Sequence, residues 1–324
     1  MKKNILLVND TSLVCHHGCT LLMHCIYELF KKNKIIIKDQ IFFEEDCTNY
    51  LKNKINFDLI LINGEGTIHG KKNSDLKKVK QILNFIMRVK KEFNIPIIIF
   101  NSTISSLKNK QLKILKMVDK IYVREIYSYN YLKKNKIKSM VVPDLLSLLE
   151  FDKKTIGKNI IVNDSSVKIK TKKLKQFSNF HDYIYIPILY DNYLKYLRFF
   201  IYKIILKLEL KFITRFYILI KNHYLRSFLN KTNNAKFIIT GRFHAIFIAL
   251  AYMKPFYTFD SDTYKIRGLM NMIGISNRII NVNSLKNYPL IFKKFSKTET
   301  NKIKRFKKKS KKTINIFIKQ IRAI

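Results

Sequence analysis

Short runs of apolar, β-branched residues alternate along the chain with longer stretches in which apolar residues recur every three to four positions. Runs of the first kind predict buried strands, and the amphipathic stretches between them predict helices. This alternation is typical of α/β proteins, in which helices cover both faces of a parallel sheet. The predicted strands lie at 4–8, 57–62, 95–100, 120–124, 139–143, 159–163, 182–187, 236–240 and 255–259, and the clearest helices at 20–32, 75–93 and 125–135.

The alternation pauses at 151–159, a polar stretch that separates two sets of predicted strands. The chain of 324 residues is long enough for two domains of ordinary size. We therefore expect two Rossmann-like domains that face a cleft, with residues 1–150 in the first and 151–324 in the second. Ligands of open α/β sheets bind beyond the carboxyl ends of the strands, so the loops after the strands are the candidate site.

The charge of the chain narrows the class of partner. Lys and Arg number 63 against 22 Asp and Glu, a net charge of +41, which favours anionic partners. The N-terminal segment MKKNILLVND has an apolar run of only ILLV and no cleavage site of small residues, so export is not expected. No apolar run reaches the length of a membrane-spanning helix. We therefore expect a cytoplasmic protein with reduced thiols.

The segment CHHGCTLLMHC (15–25) holds three of the four cysteines and three of the seven histidines. A zinc site built from Cys15, His16, His17 and Cys19 is disfavoured, because no second Cys or His pair of suitable spacing exists elsewhere in the sequence. We expect no metal site here.

The same segment follows the first predicted strand directly and is expected to line the cleft. Asn9, Asp10, His16 and His17 are therefore candidates for contacting a ligand, and His17 is a candidate catalytic base. The alternative interpretation is a polar loop without chemistry.

The loop NGEGTIHG follows the strand predicted at 57–62. Its glycines allow a sharp turn and close approach of the backbone to a ligand, although the spacing is not that of a phosphate-binding Walker loop. Gly64, Glu65, Gly66 and Thr67 are candidate ligand-binding residues.

The segment TGRFHAIFIALAYMKP places a strand, Gly241 and a very apolar helix in succession. Arg242 and His244 are predicted in the first turn of that helix. A helix N-terminus and a guanidinium both favour an anion, and a cation placed there without an anion is unfavourable. His244 is placed to donate a proton to a reacting group. The alternative is a surface arginine beside a histidine at the edge of the core.

Two basic segments lie in the second half. Residues 193–228 predict an amphipathic helix with Lys, Arg, Phe and Tyr, a composition typical of segments that lie on membranes. A helix that packs its apolar face on the core is the alternative. The basic tail from residue 293 would also suit nucleic acid, but no nucleic-acid-binding motif is recognisable, so that partner is not expected.

In their order along the chain, these motifs resemble the polysaccharide pyruvyl transferase family. The resemblance covers nearly the whole chain and rests on the GEGT loop, VREIYSYNYLKKNKI (123–137), VPDLLSLL (142–149), YIPILYD (185–191) and, most specifically, TGRFHAIFIALAYMKPFYTFDSDTYKIRGLMNMIGI (240–275). The chain departs from the family pattern at NDTSLVCHHGC, where a glycine-rich turn is usual.

The resemblance implies a GT-B-like arrangement of the two domains and an enzyme of surface-polysaccharide biosynthesis, such as that of capsule or lipopolysaccharide. It implies transfer of pyruvate from phosphoenolpyruvate to two sugar hydroxyls as a ketal, with no cofactor. The acceptor would be a sugar or lipid-linked oligosaccharide, and the enzyme would lie peripherally at the inner face of the membrane. The acceptor-binding residues would be Asn9, Asp10, His16, His17, Gly64, Glu65, Gly66 and Thr67. The donor-binding residues implied are Arg242, His244, Arg124, Gly241 and Lys265, of which Arg242 and His244 would also be catalytic.

Two other functions fit the sequence. The first is a GT-B-like glycosyltransferase with a nucleotide-sugar donor, whose diphosphate would bind at Arg242. The second is a non-enzymatic basic protein that binds lipid or nucleic acid.

Overall fold

Two parallel sheets form the framework of the computed structural model, which describes residues 3–51, 56–70, 76–151, 155, 157–189, 223–286 and 292–324. The first sheet has six strands, in the spatial order Ile37–Phe42, Ile5–Asp10, Leu59–Glu65, Ile97–Ser102, Lys120–Val123 and Met140–Val141. The second has four, in the order Phe256–Thr258, Ala235–Gly241, Asn159–Ser165 and Ile184–Tyr185. Every pair of neighbouring strands is parallel. The α/β class with parallel sheets, predicted from the hydrophobic pattern, is confirmed.

The first sheet and its helices come from the first half of the chain. The elements in chain order are β1 (Ile5–Asp10), α1 (His17–Lys32), β2 (Ile37–Phe42), α2 (Cys47–Tyr50), β3 (Leu59–Glu65), α3 (Leu76–Glu92), β4 (Ile97–Ser102), α4 (Asn109–Leu115), β5 (Lys120–Val123), α5 (Ile126–Lys134), β6 (Met140–Val141) and a 3-10 helix (Leu145–Leu148). The sequence pattern does not predict β2, since this edge strand is half-exposed and carries charged residues among its apolar ones.

The second sheet and the last helices come from the second half. The elements are β7 (Asn159–Ser165), α6 (Lys168–Phe180), β8 (Ile184–Tyr185), α7 (described over 223–233), β9 (Ala235–Gly241), α8 (Phe243–Ala251), β10 (Phe256–Thr258), α9 (Lys265–Ile273), two 3-10 helices (Ser276–Arg278 and Val282–Lys286) and α10 (Lys297–Ala323). Most of the basic helix predicted over 193–228 lies outside the described residues, and its last six positions belong to α7. The division of the chain into domains at residue 150 stays a prediction.

Helix α8 packs where the two halves of the chain meet. All nine of its residues are buried. Ile246 and Leu250 of this helix share one hydrophobic cluster with Leu22 and Ile26 of α1. Each such side chain contributes roughly 1.5–3 kcal/mol on full burial, so the contact holds the N-termini of α1 and α8 in fixed positions. The candidate functional residues follow or precede these two N-termini.

The segment interpreted from sequence as a basic tail is a helix, α10, and not a free tail. Ser296 and Glu299 form a capping box at its start. Along the helix, Ile303, Phe317 and Ile321 are buried, and Phe317 stacks on Phe100 of the first sheet with ring centroids 5.6 Å apart. These apolar residues recur at helical spacing and form one buried face of α10. The many lysines between them dominate the composition of the segment, so its net charge alone does not indicate this face.

We expect Glu299→Gln to lower the free energy of unfolding by about 3 kcal/mol, since it leaves the buried Arg278 guanidinium without its carboxylate. Glu299 accepts hydrogen bonds from Arg278 at 2.7 and 2.8 Å. This contact is the largest reason that the pKa of Glu299 falls from 4.5 to about 2. Chemical denaturation of the variant measures the loss.

The pH dependence of the free energy of unfolding gives a second test of the Glu299–Arg278 pair. A carboxylate whose pKa is lowered on folding stabilises the native state fully above about pH 4.5, and that contribution disappears as the pH falls through about 2. The wild type should therefore lose stability over this acid range more steeply than Glu299→Gln.

Glu92→Gln is a control variant that removes an exposed pair with Arg88, and it should leave the melting temperature almost unchanged. Equal losses in the two variants would contradict a specific role of the buried pair.

Candidate functional site

A pocket of about 350 Å³ lies at the carboxyl ends of strands from both sheets. Parallel strands bring their carboxyl ends to one edge, which is why loops far apart in the sequence meet here. The residues predicted from sequence that line the pocket are His16, Glu65, Gly66, Thr67, Arg124, Arg242, His244 and Lys265. The candidate acceptor and donor residues therefore share one space.

Arg242 is the N-cap of α8 and does not lie in its first turn, which begins at Phe243. Its side chain binds Asp164 at the end of β7 through Nη2 and, at 2.9 Å, through Nε. The protein supplies a carboxylate of its own, so the position of Arg242 does not by itself require a bound anion, and anion binding by Arg242 stays a prediction. The ion pair fixes the direction of the guanidinium at the pocket wall.

Arg124 is held by three contacts at the end of β5. Its Nε donates to Thr103 at 2.8 Å, and its Nη1 donates to the buried carboxylate of Asp144 at 3.1 Å. The guanidinium carbon lies 4.3 Å from the ring centroid of Phe243. These contacts leave Nη2 directed at the pocket and reduce the rotational freedom of the side chain.

Gly66 leaves a space beside two cationic groups. A Cβ atom added there would lie 3.5 Å from Nη2 of Arg124 and 3.7 Å from Nζ of Lys265. Lys265 begins α9, and burial lowers the pKa of its ammonium from 10.5 to about 8, so it is mostly charged at neutral pH. A carboxylate oxygen of Asp262 is 3.9 Å from the ammonium. The gap at Gly66 is the place in the pocket best suited to an anion.

Two imidazoles meet in the same pocket. The rings of His16 and His244 lie edge to face with centroids 5.6 Å apart. Burial, followed by neighbouring positive charges, lowers the pKa of both well below 6.5, so both are neutral in the free protein. In this neutral form His244 is able to accept a proton, and its role as a proton donor stays a prediction. A bound anion would raise its pKa again.

Gly18 of the CHHGC segment lies directly against His244. A Cβ atom there would collide with the side chain of His244, so only glycine lets α1 approach α8 this closely. His16, the N-cap of α1, accepts a hydrogen bond from the Cys19 backbone at 3.2 Å through Nδ1. The segment thus positions His16 and Cys19 against His244.

Glu65 lies at the end of β3 with a φ of 37°, a region that residues other than Gly, Asn and Asp rarely adopt. Its carboxylate accepts hydrogen bonds from Thr11, from Asn63 at 3.2 Å and from the thiol of Cys19 at 3.4 Å. Strained backbone of this kind is often retained at functional sites, where the surroundings hold it in place.

A cluster with metal-binding chemistry also forms here. His16, Cys19 and His244 each offer a ligand atom, and these atoms lie within 4.8 Å of one another. The set differs from the one considered in the sequence, because the third member comes from α8 and not from the CHHGC segment.

Three predicted site residues point into the protein. Asn9 donates to the Asn63 carbonyl at 2.5 Å, and Asp10 accepts from the hydroxyl of Tyr27. His17 stacks on Phe228 of α7 with ring centroids 4.4 Å apart. None of the three is among the residues that line the described pocket, and the catalytic role of His17 stays a prediction.

Gly64 and Gly241 have packing roles next to the pocket. A side chain at Gly64 would collide with Ser102 of β4, and one at Gly241 would collide with Ser165 of β7. Both glycines therefore allow neighbouring strands to end close together. They shape the pocket through the backbone only.

Sequence reasoning missed the carboxylates that hold the arginines. Asp144 follows β6 in VPD, and Asp164 lies near the end of β7 in VND, the same tripeptide that ends β1. Desolvation raises the pKa of Asp144 to about 6, although Arg124 opposes the shift. The signal available in the sequence was their position after a strand. The identity of their partners depended on which strand ends meet.

Comparisons with known proteins indicate the family. The family profile described as "Polysaccharide pyruvyl transferase" matches residues 16–263. No curated protein sequence matches the chain significantly.

Solved structures resemble it at low identity. A functionally uncharacterized protein from Klebsiella pneumoniae is 13% identical, with a TM-score of 0.53 over 86% of this chain and 93% of that one, which supports the fold alone. UDP-GlcNAc 2-epimerase from Methanocaldococcus jannaschii is 11% identical, with a TM-score of 0.44 over 94% of this chain and 99% of that one. An O-GlcNAc transferase variant from Thermobaculum terrenum is 7% identical, with a TM-score of 0.46 over 96% of this chain and 64% of that one.

Proposed function

The chain belongs to the polysaccharide pyruvyl transferase family and is a transferase, and from this premise we propose that it transfers pyruvate from phosphoenolpyruvate to two hydroxyls of one sugar. The observation that carries the proposal is the gap beside Gly66, where Arg124 Nη2 and Lys265 Nζ converge on space for a small anion. Phosphoenolpyruvate has a phosphate and a carboxylate, and guanidinium and ammonium groups bind both. The third cation of the pocket wall, Arg242, is positioned for the second anionic group.

The pocket volume favours this donor over a nucleotide sugar. A space of about 350 Å³ lies at the lower end of the range for small-molecule sites. It suits phosphoenolpyruvate, whereas a nucleotide sugar needs additional room for its base and ribose. Nucleotide sugars are therefore the competing ligands in the measurement of donor binding.

The chemistry assigns a role to each part of the pocket. Two sugar hydroxyls add in turn to C2 of the enol, and the phosphate leaves. One hydroxyl proton ends on the CH₂ group, which becomes the methyl of the ketal, and the other leaves with the phosphate. Arg124, Arg242 and Lys265 stabilise the departing negative charge. Neutral His244 accepts a hydroxyl proton and passes it on.

The acceptor and the location are also proposals. We assign the acceptor to the side of the pocket lined by His16, Glu65 and Thr67. A lipid-linked oligosaccharide of capsule or lipopolysaccharide assembly would bring the enzyme to an anionic membrane surface. The exposed lysines and arginine of α10, among them Lys304, Arg305 and Lys308, support such peripheral association. Among the described helices, none combines the length and apolar character needed to cross a bilayer.

Donor binding tests the proposal directly. Phosphoenolpyruvate at saturating concentration should raise the melting temperature of the wild type, since a ligand of the native state stabilises it by mass action. Lys265→Met should raise the Kd for phosphoenolpyruvate at least tenfold, because it removes one of the two cations at the gap. The rise in melting temperature with phosphoenolpyruvate should then be much smaller than in the wild type. Lys302→Met, at an exposed lysine of α10, is the matched control and should keep the full shift. Stabilisation by nucleotide sugars and not by phosphoenolpyruvate would overturn the donor assignment.

Gly66→Ala should weaken phosphoenolpyruvate binding at least tenfold without unfolding the protein. The added Cβ meets the protein at ordinary contact distances of 3.5 and 3.7 Å and occupies the space that the anion would take. Isothermal titration calorimetry measures the affinity, and the melting temperature without ligand checks the fold. An unchanged affinity in a folded Gly66→Ala variant would place the donor elsewhere.

A further inference from the structure

The cluster of His16, Cys19 and His244 has a ligand set that zinc-class ions prefer. Imidazole nitrogen and thiolate sulfur bind Zn²⁺ and Co²⁺ better than they bind Mg²⁺ or Ca²⁺, which prefer oxygen. The three ligand atoms lie within 4.8 Å of one another, whereas tetrahedral zinc needs them roughly 3.5 Å apart. Metal binding therefore requires the ligand atoms to move together by up to about 1.3 Å.

The scaffold holds the ligands in place. His16 and Cys19 are one helical turn apart at the start of α1, where Nδ1 of His16 accepts from the Cys19 backbone and leaves Nε2 for a metal. His244 is buried, with 6% of its surface exposed, and its Nε2 has no hydrogen-bond partner among the residues that the structure describes. A carboxylate oxygen of Asp144 is 3.8 Å from that nitrogen. The negative charge of that carboxylate would partly offset the charge of a cation bound at the nitrogen.

The local charges permit a cation despite the arginines. Arg242 is paired with Asp164, Arg124 with Asp144, and Lys265 lies near Asp262. Glu65 is the carboxylate of the pocket that forms no ion pair with a described cation, and it contacts the thiol of Cys19 at 3.4 Å. It is placed to receive the thiol proton when sulfur binds a metal and to balance part of the added charge.

We propose that this pocket binds a divalent transition-metal ion of the zinc class through His16, Cys19 and His244. On binding, the Cys19 S–H bond breaks, the sulfur–metal bond forms, and the proton passes to Glu65 and then to solvent. The ion and the proton-accepting role of His244 exclude each other, so an occupied site stops transfer. Metal binding itself does not depend on the identity of the donor.

Cobalt titration of the full chain, without donor or acceptor, tests the site. Co²⁺ should bind one per chain and give visible d–d bands of tetrahedral coordination and a near-ultraviolet sulfur-to-cobalt charge-transfer band. Cys19→Ser should lose the charge-transfer band, and His16→Ala should weaken binding at least tenfold. Cys15→Ser, at a buried cysteine of the same segment outside the cluster, should keep the full spectrum. Circular dichroism checks the fold of each variant.

X-ray absorption of the wild-type zinc complex makes the test independent of variants. The expected first shell contains nitrogen and one sulfur. A spectrum without sulfur, or a charge-transfer band that survives Cys19→Ser, overturns the proposal. Because the readout is coordination and not turnover, a protein that binds cobalt but not phosphoenolpyruvate would keep this inference and reject the proposed donor.

Discussion

Arg124→Met is expected to lower the free energy of unfolding by about 3–5 kcal/mol and to abolish measurable phosphoenolpyruvate binding. The stability loss follows from Asp144, whose buried carboxylate would lose its guanidinium partner. The binding loss follows from Nη2 of Arg124, which faces the gap beside Gly66. Chemical denaturation and calorimetry measure the two effects separately.

The double variant Arg124→Met with Asp144→Asn separates the two roles of Arg124. Asparagine removes the unpaired charge and still accepts the Leu146 backbone hydrogen bond that caps the 3-10 helix. Most of the stability should therefore return. Donor binding should not return, because the cation is still missing. Restored binding in the double variant would show that Arg124 only supports the fold.

His244→Gln is expected to lower kcat roughly 100- to 10,000-fold, the usual contribution of a positioned acid or base. The affinity for phosphoenolpyruvate should change little, since the cations that hold the donor remain. Glutamine has comparable size and keeps polar atoms in the pocket, but it does not take up a proton near neutral pH. Steady-state kinetics with a sugar acceptor and direct donor binding give the two quantities.

His17→Gln is the matched control for this prediction. His17 lies in the same polar segment that the sequence suggested for catalysis, yet its ring stacks on Phe228. We expect a modest loss of stability from the lost ring stacking and nearly normal turnover of the folded variant. A loss of turnover equal to that of His244→Gln would support the catalytic role that the sequence indicated for His17.

The sequence by itself determined the α/β class and the end of the sheets at which the site lies. Apolar runs of strand length and intervening amphipathic stretches have different periods, and the period survives a strong bias toward lysine. It also identified Arg124, Arg242 and His244, because each directly follows a strand or opens a buried helix. The GEGT loop was found in the same way, and Gly66 and Glu65 both line the pocket.

Only the tertiary structure decided which of these residues act together. Chain order does not give the strand order β2-β1-β3-β4-β5-β6, so it could not pair Arg124 with Asp144 or Arg242 with Asp164. It also could not show that Gly18 is required by His244. Burial and ion pairing act over a few ångströms between segments far apart in the sequence. The direction of a side chain, the charge left over in a pocket and a three-residue ligand set are therefore properties of the packed molecule.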